Sequence, residues 1–178
     1  MSAVEHLEDR IERLQRELTE LQREIRAQRP ELPAEPFDAL VVRIMGERYL
    51  VPVAPIREVV PIVWPTPLAD GPAWVLGTFR FGPEIVPMID VAARLLRRTT
   101  PLDAALSLVV VDHPRWLGLL IESAAEVVRV DPARIAPPTP GISQAAFVLG
   151  TLVGERGESA GLLSIELLGR EVVSDDAG

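Results

Sequence analysis

Proline divides this chain in two. All 17 prolines lie at or after Pro30, and none occurs before it. A proline inside a helix removes one backbone donor and clashes with the preceding turn, so only residues 1–29 are free to form one long helix, and the remainder favours strands and turns. In that first segment Val4, Leu7, Ile11, Leu14, Leu18, Leu21 and Ile25 recur at steps of three and four, which predicts an amphipathic helix with a coiled-coil seam. A lone helix of this length is marginal in water, so the stripe needs a partner. With Val4, Ile11 and Ile25 at a positions and Leu7, Leu14 and Leu21 at d, a parallel homodimer is favoured; packing on the chain's own β region or on a foreign helix stays open. Among the g-to-e′ pairs of a parallel dimer, only Glu24 with Arg29 is attractive. Residues 30–36, with Pro30, Pro33 and Pro36, form a stiff linker.

Beyond the linker the pattern changes to short apolar runs: 39–44, 49–53, 75–79, 85–89, 106–111, 116–121, 127–130, 147–153 and 162–167. Many short strands with little helix indicate a mainly β sandwich or barrel. Residues 90–98 interrupt them as a short helix with Asp90 as its N-cap. Residues 39–60 also lie without gaps over residues 107–128, at an offset of 68, so that Glu58-Val59-Val60 matches Glu126-Val127-Val128. Each copy reads as a hairpin leading into a Glu-Val-Val strand. Two similar barrels follow, over about 37–100 and 101–173.

A chain of 178 residues accommodates one domain, or two small barrels sharing a core. It has no cysteine, which removes disulfides and thiolate chemistry. No apolar run approaches the ~20 residues of a membrane helix, and residues 1–29 alternate charges where a signal peptide needs an apolar stretch. The expectation is a cytoplasmic protein without direct membrane insertion. A net charge of −8 argues against a nucleic-acid partner. The two histidines, His6 and His113, read as solvated residues with no base or metal partner, and no zinc, phosphate-loop or nucleophile motif occurs. Gly77 and Gly82 read as strand-end turns. No catalytic residue, metal or cofactor is expected. The better functional lead is the apolar connection Val60-Pro61-Ile62-Val63-Trp64-Pro65, whose Trp64 is either core or a contact anchor.

The ordered set Glu58-Val59, Gly77 and Val86-Pro87-Met88-Ile89-Asp90-Val91, then Gly118–Val127, Ile135-Ala136-Pro137-Pro138, Gly150 and Leu162–Leu168, resembles the CheW-like domain family. The resemblance implies two five-stranded barrels and a non-enzymatic adaptor that couples the cytoplasmic tip of a chemoreceptor to a CheA-type histidine kinase. It places Ile56, Glu58, Arg80 and Gly82 on the receptor-binding surface. Gly82 stands where the family has its motif arginine, and Arg80, two positions earlier, offers its charge on the same strand face. Val60, Ile62 and Trp64 fall toward the kinase-facing end. The alternative is an oligomerising scaffold of the same fold, recruiting a motility or polarity factor through its helix and apolar surface.

Overall fold

A computed structural model describes residues 3–139 and 143–172. The described residues fall into two compact units, divided between Glu31 and Leu32. The first contains helix α1 (Ala3–Ala27). The second contains strands β1 (Phe37–Ile44), β2 (Glu47–Pro52), β3 (Ile56–Pro61), β4 (Val75–Phe81), β5 (Glu84–Asp90), helix α2 (Val91–Leu96), β6 (Ser107–Val111), β7 (Leu117–Ile121), β8 (Ser123–Val130), β9 (Ile135–Ala136), β10 (Val148–Val153), β11 (Ser159–Leu163) and helix α3 (Ile165–Gly169). Residue 173, the expected last residue of the β region, lies outside the described set.

Two open, mixed sheets replace the expected pair of five-stranded barrels. One has six strands in the order β8-β1-β2-β11-β10-β9, the other five in the order β3-β6-β7-β5-β4. Neither closes, and neither is confined to one half of the sequence, because the repeats exchange strands. Strand β3 pairs with β6, Val59 opposite Val109, and β8 pairs with β1, Leu40 opposite Val127. Each Glu-Val-Val strand therefore completes the hairpin of the other repeat. The symmetry continues through the two parallel pairings, β5 with β7 and β11 with β2.

The exchange explains the continuous apolar runs. Alternate residues of β1, β6 and β7 face opposite ways, and both faces are covered. Val41, Leu50, Val130 and Leu162 fill the interior of the six-stranded sheet. Val86, Met88, Leu108, Val110 and Leu120 fill that of the five-stranded sheet. Between the sheets, Leu40, Val42 and Ile44 of β1 meet Val109 and Val111 of β6 and Leu119 and Ile121 of β7. A strand buried on both sides has no polar face to show, so it lacks alternation.

A second repeat reinforces the first. Ala73-Trp74-Val75-Leu76-Gly77-Thr78 matches Ala146-Phe147-Val148-Leu149-Gly150-Thr151, and β4 and β10 each shift register at its glycine. Gly77 is thus not a strand-end turn. A Cβ there would lie 2.2 Å from the carbonyl oxygen of Thr66, and one on Gly150 would lie 2.5 Å from that of Ala136. Only glycine admits the neighbouring backbone so closely; Thr66 exchanges both backbone hydrogen bonds with Thr78, while β9 pairs with β10.

Helix α2 starts as expected. Buried Asp90 accepts a hydrogen bond from the Ala93 amide at 3.1 Å and further bonds from the amide and hydroxyl of Thr100, both at 2.7 Å. The expected strand over 162–167 is corrected: β11 ends at Leu163, and Ser164 caps α3 by accepting from the Leu167 amide at 3.2 Å. An N-cap serine diverts the chain into a helix despite the apolar run. The guanidinium of Arg94 on α2 stacks on both Trp74 and Phe147, 3.8 and 4.7 Å from the ring centroids, tying together equivalent residues of the two repeats.

Two outcomes follow from this architecture. Segments 32–100 and 101–172, produced separately, stay unfolded by circular dichroism, because each lacks an edge partner for its hairpin; the intact chain unfolds its β region in one cooperative transition. The second concerns Tyr49, the chain's sole tyrosine, whose phenol is pushed up to about 12 by burial and then by the charge of Glu47. The native state keeps this proton after the unfolded chain has lost it, so the associated stability is whole below about pH 10 and disappears as pH rises through about 12, a loss of roughly 2 kcal/mol. With no lysine or cysteine in the sequence, Tyr49→Phe should remove most of this decline in urea unfolding measured across that range, and tyrosinate absorbance should report the proton directly.

Candidate interaction surfaces

The five-stranded sheet carries the sequence-predicted interface residues at its two edges. On one edge, β3 exposes Arg57, Glu58 and Val59 and half-buries Ile56 and Val60. Arg57 is neutralised by an ion pair with Asp112. Glu58 has no salt bridge among the described residues and leaves an uncompensated negative charge on the edge. Its repeat equivalent, Glu126, stands 3.9 Å from Arg48. The two carboxylates therefore sit on different sheets in different electrostatic settings and do not form a dyad.

The other edge carries a groove of about 430 Å³, lined by Val63, Trp64, Thr66, Thr78, Phe79, Arg80 and Ile85. The Pro61–Pro65 connection carries the chain across to it from β3, ending where Thr66 bridges Thr78. Trp64 is 70 % exposed and Ile85 67 % exposed, which decides the question left by the sequence: Trp64 is a surface residue. Val60 and Ile62 differ from it. They are half-buried against the cluster of Phe79, Val86 and Met88, so they chiefly support the sheet on which Trp64 is displayed.

The receptor set expected from the sequence is accordingly split. Ile56 and Glu58 lie on β3, Arg80 lies on β4 beside Trp64, and Gly82 occupies the exposed turn between β4 and β5. Arg80 is exposed and makes no salt bridge among the described residues. A cation set among Val63, Trp64 and Ile85 suits a partner segment that presents apolar side chains with a carboxylate. Sequence reasoning missed Ile85, because its run, Ile85–Ile89, reads as a buried strand. Alternation held the signal: Val86 and Met88 face the sheet interior, while Ile85 falls on the same side as Ile89, beyond the reach of the opposing sheet.

In α1, Leu7, Ile11, Leu14, Leu18 and Leu21 form an apolar stripe, each 54–57 % exposed. The side chains of Val4 and Ile25 lie outside the described set. Among the described residues, no group of three or more metal-ligating side chains comes together, and no helix is long and apolar enough to cross a membrane. His6 and His113 are exposed.

The comparisons with known proteins agree with this architecture. A CheW-like domain model matches residues 38–173. The chemotaxis protein CheW of Rhizobium meliloti (strain 1021) is 26 % identical over 130 residues, covering 72 % of this chain and 78 % of that protein. A probable chemotaxis protein CheW of Rhizobium etli is 26 % identical over 144 residues, covering 79 % and 92 %. In fold the chain is similar to the crystal structure of the scaffolding protein TtCheW from Thermoanaerobacter tengcongensis, with a TM-score of 0.69 at 23 % identity over 78 % of this chain and 98 % of that one. With the family model spanning most of its length, this chain belongs to the CheW-like family.

Proposed function

We propose that the protein is a non-catalytic adaptor that couples chemoreceptors to a CheA-type histidine kinase in a chemosensory pathway. The observation that carries this reading is the pair of separate exposed surfaces on one rigid sheet: the charged β3 edge with Glu58, and the apolar groove with Trp64, Arg80 and Ile85. An adaptor must hold two partners at once, and a sheet packed on both faces keeps their binding sites in a fixed relation without any chemical step. Family membership and the chemotaxis proteins among its relatives support the identity of the partners.

The β3 edge is assigned to the receptor tip and the groove to the kinase's regulatory domain. In calorimetric titrations with those two fragments from the same genome, Trp64→Ala should weaken kinase binding by about 30-fold, the roughly 2 kcal/mol of a contact anchor, with an unchanged melting temperature because the indole is exposed. Arg80→Glu should behave in the same way, since it shares the groove. Retained kinase affinity in both variants would remove the groove from the kinase interface.

Glu58→Arg should act on the other partner. Exposed charges at a rim steer encounter more than they stabilise the complex, so the variant should lose receptor-tip association rate, with a weaker salt dependence, while binding kinase normally. A variant that loses both partners together would show that the two surfaces are one.

A further inference from the structure

We infer that α1 joins two copies of this protein as a parallel, two-stranded coiled coil. The apolar stripe of α1 is narrow. Apart from the terminal Ala3 and Ala27, only the a and d positions are apolar. The flanking e and g positions carry Glu8, Gln15, Arg10, Glu17 and Glu24, all exposed. A helix that packs on a sheet or a globular core shows a broader apolar face, commonly including e or g. A seam two positions wide, kept in strict heptad register for three turns of the repeat, matches the curvature of another helix. Five of its side chains are each more than half exposed, so the stripe has the area to offer.

A second copy is the occupant that matches it layer for layer. In a parallel pair every a residue meets a and every d meets d, giving seven apolar layers from Val4 to Ile25. Three of the four a positions are Ile or Val, Leu18 being the fourth, and every d position within α1 is Leu, close to the combination that favours two parallel strands. The ion pair of Glu12 with Arg16 lies at outer positions, 3.4 Å apart along one helix, and does not compete for the seam.

The flanking charges leave orientation to the apolar layers. Helix α1 ends at Ala27, so Arg29 lies beyond it and the expected Glu24–Arg29′ attraction is not part of the coil. An antiparallel pair with Leu14 opposite Leu18′ would gain Arg10–Glu24′ twice and set Glu17 against Glu17′. That surplus is of the size of one surface pair, while the same register leaves Val4 opposite Gln28′ and forfeits a layer. A buried apolar layer outweighs an exposed ion pair. Dimerisation then makes each assembly bivalent for whatever the CheW-like units bind, raising the effective concentration of the second site without a new contact.

The test uses the full chain. Sedimentation equilibrium at tens of micromolar should give a dimer, and the Leu14→Asp, Leu18→Asp double variant should be monomeric with its β-region circular dichroism intact, because unpaired carboxylates do not enter an apolar seam. Since the sequence has no cysteine, Leu7→Cys supplies a unique thiol. In the parallel dimer the two residues at position 7 face each other, and mild oxidation should crosslink nearly all of the protein. In the antiparallel pair they stand about 27 Å apart and no crosslink forms. A wild-type monomer, or a dimer that survives the double substitution, overturns the coiled coil; a dimer that Leu7→Cys does not crosslink overturns its parallel orientation.

Discussion

Each Glu-Val-Val strand depends on a hairpin encoded some 50–90 residues away, and the rest of the β region depends on that pairing. Because β3 completes the β6–β7 hairpin and β8 completes β1–β2, neither repeat holds a whole sheet. Two interiors and a shared core form together, and the central strands are covered on both faces. The surfaces left for partners are the edges of these sheets. That is where Glu58 and the groove of Trp64 and Arg80 are found.

The same symmetry sharpens the contrast between functional and structural positions. Where equivalent residues keep one chemistry, the fold requires it: Gly77 and Gly150 admit a neighbouring backbone, and Asp90 and Ser164 cap equivalent helices. Where they diverge, the fold is indifferent. Glu126 stands 3.9 Å from Arg48, while Glu58 makes no salt bridge among the described residues. Divergence between twins in one chain thus isolates residues with a separate task.

Local features were legible in the sequence, and long-range ones were not. The heptad, the cap at Asp90, the hairpins and most strand limits follow from residue periodicity and backbone preference, which act over a few residues. The exchange of strands does not, since Val59 carries no mark telling it to pair with Val109 rather than with its own hairpin. The run 162–167 misled because its one serine, able to cap, outweighed the four large aliphatic residues around it. Exposure was the other blind spot. Trp64 and Ile62 sit two residues apart in one apolar segment, yet the first is open to solvent and the second packs on Phe79; only the path of the connection across the sheet separates them.

The parallel pairing of β2 with β11 has a consequence for synthesis. Strand β2 ends at Pro52 and β11 begins at Ser159. At a translation rate of about 5–20 residues per second, roughly 5–20 s pass before the last partner of the first hairpin leaves the ribosome. Until β6, β7 and β8 emerge, β1 and β2 carry Val41, Val42, Leu50 and Val51 as a hydrophobic ribbon with no opposing sheet, and the β2 edge stays unpaired until β11 is made. The nascent chain is thus most exposed to aggregation early and is secured only by its final strand, so a truncation near the C-terminus damages the first elements made as much as the last.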